Sequence, residues 1–348
     1  MPTLVLDHDA IADIIDGLGI DTLMDLTIEN LEKALQLTSP TPEDLPPRAG
    51  FELRDPSRLG VFEWMPYRSA DCITMKVVSY APANPAGRGT PTILASIGGF
   101  DSVTGQLQVL CDGVFATALR TGAASAVASR LLSVADAATL GVIGAGAQAV
   151  AQVHALSRVR PLTTCLVYDT DPSAAQSLAA RCPVSHIEFK YVPLPELTEQ
   201  SDIVCTTTSV EPGGGPVFPD QALRPHIHVN AIGADLPGKT EVPLTLLQRA
   251  LVVPDMIEQA RREGECQQLD EKASPLVTDL PGLVRNAELY SQHCHTPTVF
   301  DSTGTALEDH VALSVLTQAA EVCGAGIYRR LQAVPDDALN PYSIRRPA

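Results

Sequence analysis

The chain has 348 residues, 45% of them apolar, and its 41 acidic against 24 basic side chains give a formal charge of −17. That length supports two separate cores, and no run approaches the eighteen apolar residues of a membrane span, so the sequence reads as soluble and globular. With no basic tract to displace condensed counterions, a nucleic-acid partner is excluded.

The acidic start, residues 1–16 with Asp7, Asp9, Asp13 and Asp16, lacks the basic region of a signal or transit peptide. Eight cysteines, at 72, 111, 165, 182, 205, 266, 294 and 323, form no Cys-x-x-Cys pair. Both features predict reduced thiols and a cytoplasmic protein. His293-Cys294-His295 lacks a second ligand pair, so no metal site is expected.

In chain order, residues 4–37 carry a helical period, with Asp7 as a cap and Ile11, Ile14, Leu31 and Leu35 on the apolar face. A proline-rich joint at 39–47 should be extended. From 48 to 110 short strands alternate with turn residues, which predicts a mixed or mostly antiparallel sheet. An alanine-rich helix over 115–132 then leads onward.

The stretch 138–169 organises the rest. Apolar residues 139–143 break into Gly144-Ala145-Gly146-Ala147-Gln148-Ala149, a helical period follows, and a second apolar run at 164–168 ends on Asp169, 25 residues after Gly144. This is the strand, glycine turn, helix and terminal acid of a dinucleotide-binding unit. Gly144 permits the sharp turn, Gly146 lets backbone approach a pyrophosphate, and the open helix start faces the phosphates. An acid at position 169 accepts both ribose hydroxyls and repels a 2′-phosphate, favouring NAD over NADP.

Alternation continues with helices predicted at 172–181, 242–249 and 306–322 and strands at 202–207, 226–232, 250–253 and 298–301. The fold class is therefore α/β: a Rossmann-type doubly wound parallel sheet plus a second α+β unit built from both chain ends. Residues 119–311 form the expected NAD-binding domain, and 1–118 with 312–348 the substrate-binding and dimerisation domain.

Arg48, Glu63, Lys76 and Arg120 sit inside otherwise apolar runs, where each is either on an exposed face, in an internal ion pair, or part of a site. Together they supply the cations that an α-carboxylate needs. Asp235 follows Asn230-Ala231-Ile232-Gly233-Ala234, at the end of a strand where such a sheet places its ligand. It is a candidate proton carrier, or alternatively a helix cap, and Lys239, four residues on, could pair with it or reach the cofactor. Val61, Met65 and Leu94 are candidate pocket walls.

Several separated motifs carry a resemblance to the ornithine cyclodeaminase/μ-crystallin family. They are Glu63-Trp64-Met65-Pro66, Lys76, residues 117–123, the Gly144–Ala149 turn, residues 230–235 and Phe300-Asp301-Ser302-Thr303-Gly304. Residues 80–85 and 262–268 resemble the lysine cyclodeaminases. The resemblance implies that Arg48, Lys76 and Arg120 hold a substrate carboxylate, Asp235 is the acid/base, and Glu63 lies near Lys76 and helps manage protons. It also implies an NAD site lined by Thr121, Gly144, Gly146, Ala147, Gln148, Asp169, Thr207, Ser209, Lys239 and Ser302, and a homodimer formed through the strand region. The expected activity converts a basic amino acid, L-lysine to L-pipecolate or L-ornithine to L-proline, releasing ammonia with NAD recycled. An NAD(H)-dependent imine reductase or amino-acid dehydrogenase, and a non-enzymatic small-molecule binder, are the alternatives.

Overall fold

The computed structural model describes residues 2–55, 57–270, 276–333 and 335–344; the other positions of the two expected domains lie outside the described residues. Among the described residues the chain forms two seven-stranded sheets, one mixed and one wholly parallel. No described helix is long and apolar enough to cross a membrane.

The mixed sheet starts earlier than the sequence pattern implies. Thr3–Leu6 is strand β1, and the helical period begins only at α1 (His8–Leu18), where Asp7 caps as expected by accepting from Ala10 N at 3.1 Å. Four residues carry too little periodicity to separate strand from helix. What decides is the slot into which they fit. Helix α2 (Ile20–Leu37) follows Gly19, then β2 (Ala49–Glu52), β3 (Val61–Arg68), β4 (Cys72–Tyr80), α3 (Asn84–Arg88), β5 (Ile93–Asp101) and β6 (Leu107–Asp112). These strands pair antiparallel in sequence order from β2 to β6, while β1 lies parallel beside β6. Strand alternation buries Thr74, Lys76 and Val78 on the inner face of β4.

Helix α4 (Gly113–Leu132) leads to the parallel sheet, whose strands are β7 (Thr139–Ile143), β8 (Thr164–Tyr168), β9 (Glu188–Tyr191), β10 (Ile203–Thr206), β11 (His228–Ala231), β12 (Leu251–Pro254) and β13 (Thr298–Asp301). Helices α5 (Ala147–Ser157), α6 (Pro172–Arg181), α7 (Leu194–Gln200), α8 (Leu244–Arg249), α9 (Ile257–Glu263), α10 (Leu280–Arg285) and α11 (Ala287–Tyr290) lie between them. Spatial order is β12-β13-β11-β10-β7-β8-β9, so the order reverses between β7 and β10. A doubly wound sheet opens its ligand crevice at that reversal.

Helix α12 (Ala306–Cys323) returns to pack on α1, α2, α4 and β4, and β14 (Ile327–Arg329) closes the mixed sheet against β1. The expected division points, 118/119 and 311/312, therefore fall inside α4 and α12. Helix α4 packs on β5 of the mixed sheet and on β11 and β13 of the parallel sheet, whereas α12 packs on the mixed-sheet half and on α4.

Candidate active site

Between the carboxyl ends of the parallel strands and the inner face of the mixed sheet lies a cavity of about 760 Å3. Every residue singled out for the site lines it: Arg48, Glu63, Lys76, Arg120, Thr121, Gly144, Gly146, Ala147, Gln148, Asp169, Thr207, Ser209, Asp235, Lys239 and Ser302. Of the three expected walls only Met65 faces the cavity, beside Val78 and Ile93. Leu94 fails because its neighbour Ile93 takes the inward position on β5, and Val61 lies at the far end of its strand.

One half of the cavity is built by the glycine turn. Gly144 has φ +94°, and a Cβ there would meet the Thr207 carbonyl oxygen at 2.8 Å, so only glycine fits without strain. Gly146 caps α5 with no side-chain hydrogen bond, and a Cβ there would meet nothing within 4 Å, leaving the helix start open to a ligand. Asp169 is held at the rim, its Oδ2 accepting from Ala145 N at 2.6 Å and its Oδ1 from Asp171 N at 2.8 Å. Gln148 Oε1 and Ser302 Oγ are buried without a hydrogen-bond partner among the described residues. An open helix end, a rim carboxylate and two orphaned polar atoms in one crevice fit a dinucleotide.

The other half is a set of buried charges. Arg48 donates through Nε to Glu263 at 2.7 Å, through Nη1 to the Thr303 carbonyl at 3.2 Å and through Nη2 to the Asp235 carbonyl at 2.8 Å. Burial opposes its charge, yet Glu63, Glu263 and Asp235 hold its pKa above the ordinary value. Glu63 lies 3.4 Å from Arg48 Nε; burial raises its pKa and Arg48 partly offsets that. Lys76, fully buried, donates to Asp309 at 2.9 Å, while Glu63, expected near Lys76, lines the same cavity and pairs with Arg48. The β3–β4 register explains this, since Lys76 stands opposite Met65 and Glu63 opposite Val78. Burial lowers the Lys76 pKa to about 8 despite Asp309.

Arg120 donates from Nη1 to Glu308 at 2.9 Å, and its Nε approaches the same Asp309 oxygen at 3.2 Å. Asp235 pairs with Lys239 at 2.9 Å, and the Lys239 ammonium sits 4.6 Å from the centre of the Tyr80 ring. Burial disfavours that ammonium, but Asp235 and Tyr80 more than compensate and raise its pKa.

Residues 10–322 match the ornithine cyclodeaminase/mu-crystallin family. The chain belongs to this family. An L-lysine cyclodeaminase of Streptomyces rapamycinicus is 41% identical over 99% of this chain and 100% of its own length. A lysine cyclodeaminase structure, described for its recognition of L-lysine, L-ornithine and L-2,4-diamino butyric acid, superposes with a TM-score of 0.94 at 45% identity, covering 99% of this chain and all of that one. An archaeal alanine dehydrogenase dimer with bound NAD superposes with a TM-score of 0.82 at 28% identity, covering 95% and 100%.

Within the cyclodeaminase/μ-crystallin fold, the buried acids that answer these cations, Glu263, Glu308 and Asp309, were not among the residues that the sequence singled out as site groups. Glu308 and Asp309 stand in the first turn of α12, where acids ordinarily complement the helix dipole in solvent. A signal existed. Asp309 shares a stripe with Ala312, Leu313 and Leu316, all buried, so helical spacing puts it on the packed face.

Proposed function

We propose that the chain is an NAD-dependent cyclodeaminase that converts L-lysine to L-pipecolate with release of ammonia, with L-ornithine to L-proline as the shorter-chain version. One observation carries this reading: Arg48, Lys76 and Arg120 converge with Asp235 in a single cavity whose other half is the glycine turn. The full-length similarity to lysine cyclodeaminases supports lysine over other amino acids.

NAD would be held by Gly144, Gly146, Ala147 and Gln148 at the open start of α5, by Asp169 at the ribose, and by Thr121, Thr207, Ser209, Lys239 and Ser302 around the remaining cavity. When bound, it supplies a reversible two-electron acceptor, so the overall conversion has no net redox change. Arg48, Lys76 and Arg120 fix the α-carboxylate and thereby the height of Cα above the cavity floor. Asp235 takes the proton that the distal amine sheds on closing the ring and delivers it to the departing ammonia. Lys239 anchors that carboxylate, and Glu63, beside Arg48, is a second proton-carrying group. Met65, Val78 and Ile93 keep water from the imine carbon. Closure within one molecule gains from a high effective concentration of the amine.

In this reading residues 119–311 serve NAD, and 1–118 with 312–348 serve substrate and self-association, with the boundaries inside α4 and α12. Purified protein given L-lysine or L-ornithine with sub-stoichiometric NAD tests the reading. Ammonia and the cyclic amino acid should accumulate without NADH. Turnover only with stoichiometric NADH and a cyclic imine or keto acid would replace it with the imine reductase or dehydrogenase reading, which the likeness to alanine dehydrogenase favours. Binding without any turnover would leave a small-molecule binder, against which the intact set of Glu63, Lys76, Arg120 and Asp235 argues.

A further inference from the structure

We propose that Asp309, which need not touch substrate, is the positioning residue of the carboxylate clamp: it holds Lys76 and Arg120 together. The inference rests on the cavity being an amino-acid site. Asp309 is fully buried, and one oxygen, Oδ1, takes the Lys76 ammonium at 2.9 Å and lies 3.2 Å from Arg120 Nε. Two cations from different elements, β4 and α4, thus converge on one atom presented by a third, α12. Without it they would repel each other across an interior of low dielectric.

The arrangement is also incomplete. Asp309 Oδ2 and Arg120 Nε are buried without an aligned hydrogen bond among the described residues. Lys76 has two further N–H donors beyond the one used. A substrate carboxylate entering the cavity would satisfy the spare donors, while Asp309 keeps them at a fixed spacing.

The groups facing Lys76 set its charge. Asp309 and Glu308 come from α12 and Arg120 from α4; across the sheet stand uncharged Met65 on β3 and Ile97 on β5. His310 binds Thr74, two residues along β4, and burial lowers its pKa, which favours the neutral ring. Glu63 lies on β3 opposite Val78 and pairs with Arg48. Burial draws Lys76 down to about 8, and Asp309 is the first of the opposing influences. Removing that carboxylate should lower the pH at which the ammonium, and with it the clamp, is lost.

The test is calorimetric binding of L-pipecolate to NAD-loaded protein between pH 6.5 and 9.5, alongside steady-state kinetics with L-lysine. Wild-type affinity should weaken as pH rises through about 8. Asp309→Asn should weaken binding roughly 10- to 100-fold, raise KM more than it lowers kcat, and move the alkaline limb to lower pH. Asp309→Glu keeps the charge, so it should raise KM while leaving the limb where wild type has it. Wild-type affinity and an unmoved limb in Asp309→Asn would overturn the proposal, as would a loss confined to kcat. Should Asp309→Asn fail to fold, Asp309→Glu decides: raised KM with an unmoved limb supports the proposal, and wild-type KM overturns it. Wild type that binds L-pipecolate but releases no ammonia from L-lysine would sink the cyclodeaminase reading and leave Asp309 its role; wild type that does not bind it would sink both.

Discussion

A methyl group at position 304 would overlap Nη1 of Arg120, on a backbone whose φ of +85° side chains rarely adopt. The glycine in Ser302-Thr303-Gly304 is thus the floor under a clamp residue. Gly304→Ala should displace the guanidinium and lower kcat/KM for L-lysine roughly 10²-fold, with NADH affinity measured by fluorescence unchanged. An unaltered kcat/KM would mean that Arg120 does not hold substrate. Asp235 tests the proton-carrying role. Its amide replacement, Asp235→Asn, keeps the shape but cannot accept a proton, so ammonia release should fall roughly 10²- to 10⁴-fold while NAD still raises the melting temperature. At the ribose end, Asp169→Ser should weaken NADH and narrow its advantage over NADPH in parallel titrations. An unchanged preference would remove Asp169 from that role.

At the scale of elements, β11 shows how a strand in the middle of the parallel sheet tolerates polar groups. His228 is fully buried, with Nδ1 2.9 Å from Thr298 Oγ1 on β13 and Nε2 3.1 Å from Ser129 Oγ on α4. Burial lowers its pKa to about 3. Above pH 6.5 the ring is neutral whether folded or unfolded, and stability is full. As pH falls from 6.5 toward 3 the unfolded chain binds a proton that the folded chain refuses, so stability is lost over that window. His228→Asn removes this contribution, and the drop in urea stability between pH 7 and pH 5 should shrink by on the order of 2 kcal/mol. Other buried groups titrate in both proteins and cancel in the comparison. An equal drop in both would show that His228 titrates normally in the fold.

For the whole molecule, the outer face of the mixed sheet exposes the large apolar side chains Phe51, Trp64 and Leu94. Phe51 stacks on Phe62 with ring centres 5.6 Å apart and tilts against Trp64 at 6.0 Å, and Phe51 and Leu94 are 60% and 42% exposed. Contiguous exposed aromatics of this kind mark interaction surfaces. The self-association proposed for the substrate half places a second copy of the chain on this face. Phe51→Asp should shift sedimentation toward monomer, and a wild type that sediments as a monomer at micromolar concentration would refute the proposal.

Residues 139–169 determined the parallel half of the fold by themselves, because strand, glycine turn, helix and terminal acid are local features with strict steric requirements: a φ of +94° at Gly144 leaves a narrow choice of residue. Charges stranded in apolar runs likewise mark Lys76 and Arg120 as unusual in the sequence alone. The sequence did not contain, in readable form, β1 as a strand, since its two partners, β6 and β14, lie more than a hundred and more than three hundred residues away. Nor did it reveal the acids that answer those cations. Whether Lys76 meets Glu63 or Asp309 depends on strand register and on where α12 docks after the whole parallel sheet has intervened. Pairing of buried charges is a long-range electrostatic outcome, and only the packing of one sheet against the other decided it.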